Sequence, residues 1–344
     1  MKKWRVVLFP FGFLYGVITA IRNLLFDLGL KKVFVIPGKS ICVGNLSVGG
    51  TGKTPHIAYL AELLQDNFKV QILSRGYGRK TKGFFLLDEN STSKTVGDEP
   101  LFYYQNFKKA TVAVCESRKE GIQKLQNIEK SDVILLDDAF QHRPVKAGLN
   151  ILLTDYNSPY YKDLMLPAGD LREWQSGRKR ADLVLVSKSP TLISQQEKEM
   201  IIQKLKFNPE NIFFTHIIYK NLSPFGNLKT WHKNEFPSIL LVTGIANPTP
   251  LLNHLSQDHH VELISFPDHH DFTLEDIQKI HKKFDTFASD NKVLVTTEKD
   301  FVRLNSAIFA SEIAKYPWFY QQISVKIDRE QTFNTKIQSY VREI

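Results

Sequence analysis

The residues of this 344-residue chain whose types and spacing could carry chemistry begin at Ser40–Pro55, SICVGNLSVGGTGKTP. A short apolar run, Ile41-Cys42-Val43, leads into glycines at Gly44, Gly49, Gly50 and Gly52. Lys53-Thr54 and a helical pattern follow. Strand, glycine-rich turn and helix in that order let backbone N–H groups and a helix N-terminus cradle a polyphosphate. The phosphates would lie along Ser47, Val48, Gly49, Gly50, Thr51, Gly52, Lys53 and Thr54. Lys53 would reach the β/γ-phosphates, and the Thr54 hydroxyl would bind Mg2+. The strict pattern G-x-x-x-x-G-K-[ST] has glycine where this chain has Ser47, and serine tolerates positive φ less well.

A metal partner comes from Asp132–Asp138, DVILLDD, an apolar strand ending in two carboxylates. Asp137 and Asp138 match a Walker B position, which holds Mg2+ opposite the Thr54 hydroxyl. The strand Asp182–Val186 ends in Ser187-Lys188-Ser189-Pro190, without the aspartate of a guanine-reading Asn-Lys-x-Asp loop. Adenine is therefore the expected base. A phosphoryl transfer also needs a group to take or orient the acceptor's proton. Asp98, in a Gly-Asp-Glu-Pro turn, and the cluster Phe266-Pro267-Asp268-His269-His270-Asp271-Phe272 are the candidates. Basic loops at Arg75–Lys80, Glu116–Lys119, Gln141–Arg143 and Arg172–Arg180 follow predicted strands. Together they would clamp phosphates or an anionic acceptor.

Elements to hold these residues alternate along the chain. Apolar strands at 69–73, 111–114, 132–138, 149–154, 182–186 and 211–217 are interleaved with helical patterns at 54–65, 118–126 and 194–206. That alternation predicts an α/β fold: a P-loop NTPase-type, doubly wound parallel sheet over residues 31–218. Residues 219–237 are polar and rich in turn formers, and read as a linker. Alternation restarts at 238 and predicts a second, smaller α/β domain over 238–344.

The first 30 residues differ. Val6–Ala20 is apolar, flanked by Lys2, Lys3, Arg5 and Arg22, and no small-residue cleavage site of the A-x-A type follows. Arg22, Asn23 and Asp27 interrupt the run before the ~20 apolar residues of a membrane span. A helix lying in the membrane interface, with Trp4, Phe9, Phe11, Phe13, Leu14 and Tyr15 toward lipid, competes with a first helix packed on the core. The aromatic load favours the interface. Composition agrees with an anionic partner: 45 Lys+Arg against 36 Asp+Glu, net +9. No RNA- or DNA-binding motif accompanies that charge, so no nucleic-acid partner is expected. Cys42 and Cys115 lie in apolar runs and read as buried thiols of a reducing compartment. A P-loop switch or maturation NTPase remains compatible with GGTGKT alone.

Eight stretches in order resemble one family, the tetraacyldisaccharide 4′-kinases (lipid A 4′-kinases) of Gram-negative bacteria. They are GNLSVGGTGKTP at 44–55, SRGYGR at 74–79, GDEP at 97–100, ESR at 116–118, LLDDAFQH at 135–142, PAGDLRE at 167–173, FPDHH at 266–270 and TEKD at 297–300. The resemblance implies a two-domain P-loop kinase on the cytoplasmic face of the inner membrane, peripheral or monotopic. It implies transfer from MgATP to the 4′-hydroxyl of an acylated glucosamine disaccharide 1-phosphate, giving lipid IVA. It assigns Asp98 and His269 to activation of the acceptor hydroxyl, and Asp138 with Asp137 to the metal. Arg75, Arg118, His142, Arg172 and Glu173 would line the site. Trp174 stands where proline often follows PAGDLRE, and His270 where other residues are common.

Overall fold

Strands whose apolar runs are unbroken must be covered on both faces. The strands around the glycine-rich loop meet that requirement: Val70–Ser74, Val133–Asp137 and Leu183–Ser187 are buried at every position. The computed structural model describes residues 3–226, 238–287 and 291–343. The Trp4 side chain, read above as lipid-facing, and Trp231-His232-Lys233-Asn234 of the expected linker lie outside the described residues. The chain divides into two compact units, Met1–Ile218 with Ser324–Ile344, and Tyr219–Ile323.

In the first unit, β1 (Lys39–Asn45), β2 (Val70–Ser74), β3 (Thr111–Val114), β4 (Val133–Asp137), β5 (Leu149–Asp155), β6 (Leu183–Ser187) and β7 (Ile212–Pro224) pair in the order β7-β6-β5-β1-β4-β2-β3, all parallel. The two-residue strand Phe85–Leu86 adds antiparallel to β3. The helices around them include α1 (Phe9–Asp27), α2 (Lys53–Leu64), α3 (Asp98–Asn106), α4 (Arg118–Ile128) and α5 (Gln195–Leu205). β1 is central, and its register pairs Val43 with Asp137 of β4. The glycine-rich loop and the two carboxylates therefore leave the sheet side by side at its C-terminal edge, where open α/β sheets bind ligands.

The second unit is a parallel sheet ordered β9-β8-β10-β11, from β8 (Ser238–Thr243), β9 (Val261–Ser265), β10 (Lys292–Thr297) and β11 (Trp318–Ile327). The strand period of two splits its core. Leu240, Val242 and Leu294 face Ile277, Ile280 and Phe284 of α7 (Leu274–Asp285). Ile239, Leu241, Val293 and Val295 face Leu251 and Leu255 of α6 (Thr249–Leu255). α8 (Glu298–Leu304) follows β10 directly.

Two boundary expectations need correction. Tyr219–Pro224, read as linker, continue β7 as a strand. Residues 324–344, assigned by sequence to the smaller domain, belong to the first unit. The cause is the apolar stripe of α9 (Glu330–Arg342): Phe333 is buried against the rings of Phe213 and Tyr59. Farther along α9, the Tyr340 hydroxyl donates to the Ser40 carbonyl at 3.1 Å and accepts from its N–H at 3.2 Å.

α1 docks through its small residues. A Cβ on Gly16 would come within 2.6 Å of the Trp174 ring, and one on Gly12 within 2.9 Å of the Met165 carbonyl. Backbone and indole thus touch, and Trp174 Nε1 donates to the Gly16 carbonyl at 2.7 Å. Arg5 pairs with Asp170 at 2.8 Å and donates to the Pro167 and Gly169 carbonyls. Asn23 Nδ2 donates to Glu173 Oε2 at 2.8 Å. The other face leaves Phe9, Phe11, Phe13, Leu14, Ile18, Ile21 and Leu24 exposed. By length and composition Arg5–Asp27 would suffice to cross a membrane, which the sequence reading had set aside.

Replacing Gly16 with leucine should force the indole out, costing ~1–3 kcal/mol in urea denaturation and exposing α1 to limited proteolysis. Unchanged stability and proteolysis would contradict the docked arrangement.

Candidate functional site

The glycine-rich loop is built for something other than protein contacts. Gly49 and Gly52 hold φ of 99° and 87°, which only glycine adopts cheaply. A Cβ on Gly49 or Gly50 would meet nothing within 4 Å. Gly50 has no positive φ among the described residues, so neither packing nor conformation demands glycine there. Close approach of a ligand to the backbone is what a glycine there permits. Gly52 is the N-cap of α2 and contributes no side chain, and the first turn holds no acidic residue. The first N–H groups of α2 are thus left to an anion.

Ser47 is explained by its backbone. It forms an isolated antiparallel bridge with Leu171, flanked by hydrogen bonds from Val48 N to Asp170 O at 2.7 Å and from Arg172 N to Leu46 O at 2.8 Å. At Ser47 the loop is thus bridged to PAGDLRE between two bends, and its φ is not positive. From behind, Asn45 Nδ2 donates to Thr51 Oγ1 at 2.8 Å, and Ser187 Oγ donates to the Thr51 carbonyl at 2.8 Å.

Around this cradle the structure gathers Lys53, Thr54, Asp137, Asp138 and Arg172. Lys53 Nζ lies 3.6 Å from Asp138 Oδ2. Arg172 Nη1 donates to both Asp138 oxygens at 3.2 Å. Asp138 sits at φ 47°, a left-handed conformation that costs ~1–3 kcal/mol for a non-glycine residue and is characteristic of functional sites. Asp137 is buried, accepts from Ser74 Oγ at 3.0 Å, and leaves Oδ1 without a hydrogen-bond partner. Burial, reinforced by the charges of Glu99 and Asp138, pushes the Asp137 carboxyl up to about 7 against the pull of Lys53 and Arg118.

Asp137, Asp138 and Glu99 thus bring three carboxylates into one neighbourhood, with Lys53, Arg118 and Arg172 around them. With the Thr54 hydroxyl 3.0 Å from Glu99 Oε1, the donors are all hard oxygens, the set Mg2+ prefers. Among the described residues no three His, Cys, Asp or Glu side chains form a ready-made metal cluster. A Mg2+ here would be completed by phosphate oxygens and water, as this ion ordinarily is.

The remaining expected residues divide. Arg75 is exposed on the loop after β2. That loop and the Asp98 turn touch main chain to main chain: a Cβ on Gly76 would lie 2.7 Å from the Val96 carbonyl, and one on Gly97 2.9 Å from the Tyr77 carbonyl. Asp98 opens α3 at this junction. His142 is half-buried, and burial with the nearby charges of Arg118, Arg22 and Arg75 holds its imidazole below the usual range. Arg118 is buried, with Nη1 on the Cys115 carbonyl and Nη2 on the Asp137 carbonyl, both at 2.8 Å. Its contacts hold the end of β4. Glu173 is buried and accepts from Arg180 at 2.7 Å, Gln141 at 3.0 Å and Asn23 at 2.8 Å. Its carboxylate therefore serves the seat of α1.

In the second unit, His269 follows β9 with φ 60°. Its Nδ1 lies 3.1 Å from Arg303 Nη2 and its Nε2 3.2 Å from Lys299 Nζ. His270 stacks on Phe266 and lies 3.0 Å from Asp276 Oδ2 in the cap of α7. The two histidines thus differ in kind: His270 is engaged in the fold, and His269 faces two cations. Sequence reasoning missed Glu99, Lys299 and Arg303, and named Gln141 only as the start of a basic loop. Glu99, Gln141 and Lys299 stood inside quoted motifs, GDEP, LLDDAFQH and TEKD, and that adjacency was the available signal.

Comparison with known proteins bears on the whole chain. Residues 4–342 match the tetraacyldisaccharide-1-P 4′-kinase family. The tetraacyldisaccharide 4′-kinase of Flavobacterium johnsoniae is 44% identical, covering 100% of this chain and 99% of the relative. That of Bacteroides thetaiotaomicron is 43% identical over 100% of this chain and 94% of the relative. Among solved structures, LpxK from Aquifex aeolicus in complex with ATP superposes with a TM-score of 0.76 at 30% identity, covering 99% of this chain and 100% of that one. With the glycine cradle, the Asp137-Asp138 strand end and a family match spanning both units, this chain belongs to the tetraacyldisaccharide-1-P 4′-kinase family.

Proposed function

We propose that the chain transfers the γ-phosphate of ATP to the 4′-hydroxyl of a tetraacyldisaccharide 1-phosphate, giving lipid IVA. The observation that carries this reading is the convergence of Lys53, Asp138 and Arg172 beside a glycine turn with nothing packed against it. The phosphates lie on Ser47–Thr54, with the N–H groups of α2 and Lys53 neutralising charge as the bond to the leaving ADP breaks. Arg172 is released from Asp138 to a phosphate or the acceptor, and Arg75 and His142 line the same edge. Thr54, Asp137 and Asp138 would hold Mg2+, which when bound supplies charge neutralisation on the phosphates. Asp98 and His269 activate the acceptor hydroxyl: the Asp98 carboxylate takes its proton as the oxygen bonds to phosphorus, and His269 orients the reacting oxygens.

The proposal extends to place. α1 spends its small residues on the fold and leaves its aromatic and branched residues outward, the arrangement of a helix lying in a bilayer interface. Contacts from Arg5 to Asn23 run along its length, which supports a helix lying flat over one crossing the bilayer. The enzyme would work on the cytoplasmic face of the inner membrane, where ATP is available and the acyl chains can stay in lipid.

Lys53→Ala and Thr54→Ala should each lower kcat by about 10²–10³-fold, and Asp98→Ala and His269→Ala by about 10²–10⁴-fold. An Asp98→Ala enzyme with full turnover would remove that residue from the chemistry. A coupled assay should show ATP consumption only when the acylated disaccharide 1-phosphate is present, lost on chelation and restored by Mg2+. Acceptor-independent hydrolysis at the same rate would favour a switch NTPase. Deleting residues 1–29 should move the protein from vesicles to the soluble fraction and raise KM for the lipid, and unchanged partitioning would make α1 a core helix.

A further inference from the structure

We propose that Arg303 is a positioning residue for this reaction: pinned by buried Asp300, it fixes His269 in the tautomer with a bare Nδ1 and a proton on Nε2. The proposal rests on the assignment of His269 to the acceptor hydroxyl, and adds what aims and prepares that ring.

Hydrogen-bond inventory carries it. A neutral imidazole has one lone pair and one N–H, whereas a guanidinium has donors only. Arg303 Nη2 stands 3.1 Å from His269 Nδ1, so that nitrogen must be the acceptor. Lys299 Nζ, at 3.2 Å from Nε2, is also a donor, and one ring cannot accept from both. The contest is decided by rigidity. Arg303 is 8% exposed and Asp300 0% exposed. Asp300 Oδ1 accepts from Arg303 Nη1 at 3.0 Å, and Oδ2 from Gly244 N at 2.9 Å and Thr297 Oγ1 at 2.7 Å. Thr297 is also the N-cap of α8. Lys299 carries a point charge on a flexible stem and can turn away at little cost.

Gly244 joins the ring's backbone to the same anchor. Its carbonyl accepts the His269 N–H at 3.1 Å, and a Cβ on it would lie 3.0 Å from Asp300 Oδ1. The loop, the ring and the guanidinium are therefore referenced to one carboxylate. With Nδ1 accepting from Arg303, the one proton of the neutral ring sits on Nε2, the nitrogen that lies 4.0 Å from Asp268 Oδ2. TEKD, which offered no role of its own in the sequence, becomes the mount for His269.

The test uses the full-length enzyme in detergent micelles, labelled with 15N-histidine, with His269 assigned by its loss in His269→Ala. Long-range 1H–15N spectra should show His269 with Nδ1 unprotonated and Nε2 protonated. A wild-type ring protonated on Nδ1 overturns the proposal whatever the variants do. Arg303→Met should shift the signals toward a mixture of tautomers and lower kcat by about 10–100-fold with KM for ATP unchanged, as removal of a partner that orients a reacting group does. Arg303→Lys, which keeps a donor, should recover part of the rate. If His269→Ala is impaired while folded Arg303→Met keeps full kcat and one tautomer, the proposal falls and His269 keeps its role. If His269→Ala is itself fully active, the catalytic reading of His269 falls as well.

Discussion

Two carboxylates leaving the end of one buried strand set the terms for the region around them. Asp137 has almost no contact with solvent, and Asp138 next to it is forced into a left-handed conformation. Negative charge at that depth is costly unless it is paired. The fold answers from several directions: Lys53 from the glycine loop, Arg172 from the segment after β5, and Arg118 behind the strand. Burial still holds the Asp137 carboxyl above the usual carboxylate range, and its Oδ1 has no hydrogen-bond partner. An unpartnered buried oxygen beside hard-oxygen neighbours fits a divalent cation.

A second buried carboxylate, Glu173, does a different task with the same physics. Arg180 neutralises it, and Gln141 and Asn23 complete its hydrogen bonds. Gln141 also donates to the Asn45 carbonyl at the end of β1. The outward aromatic face of α1 and the buried edge of the phosphate site are therefore connected through two polar side chains. Apart from Phe26, which is buried, the helix is seated by small residues and by polar and backbone contacts.

Much of this was legible in the sequence because it is local. Buried parallel strands announce themselves as apolar runs, and the order strand, glycine turn, helix fixes what Lys53 and Thr54 can reach. Other features depended on partners far along the chain. The partnership of Glu173 with Asn23, 150 positions away, has no signature in the sequence. Arg118 was legible as a basic residue near the site, but not its burial or the two guanidinium donors it gives to the Cys115 and Asp137 carbonyls. Tyr219–Pro224 is polar enough for a linker, yet it continues a strand whose preceding residues are buried. Nothing in the spacing of 330–342 says that Phe213 and Tyr59 cover Phe333 of α9.

The bridge between Ser47 and Leu171 has a consequence for how such enzymes are found. Glycine is usually demanded at that place because the loop is taken to curl there. In this chain the backbone is bridged there, at a φ that is not positive, and is tied by main-chain hydrogen bonds on either side. Any side chain that tolerates such a backbone satisfies the geometry, and the identity of the residue carries little information. A search that insists on the consensus glycine would pass over this chain, while one that weights the later glycines and the facing PAGDLRE ribbon would retain it.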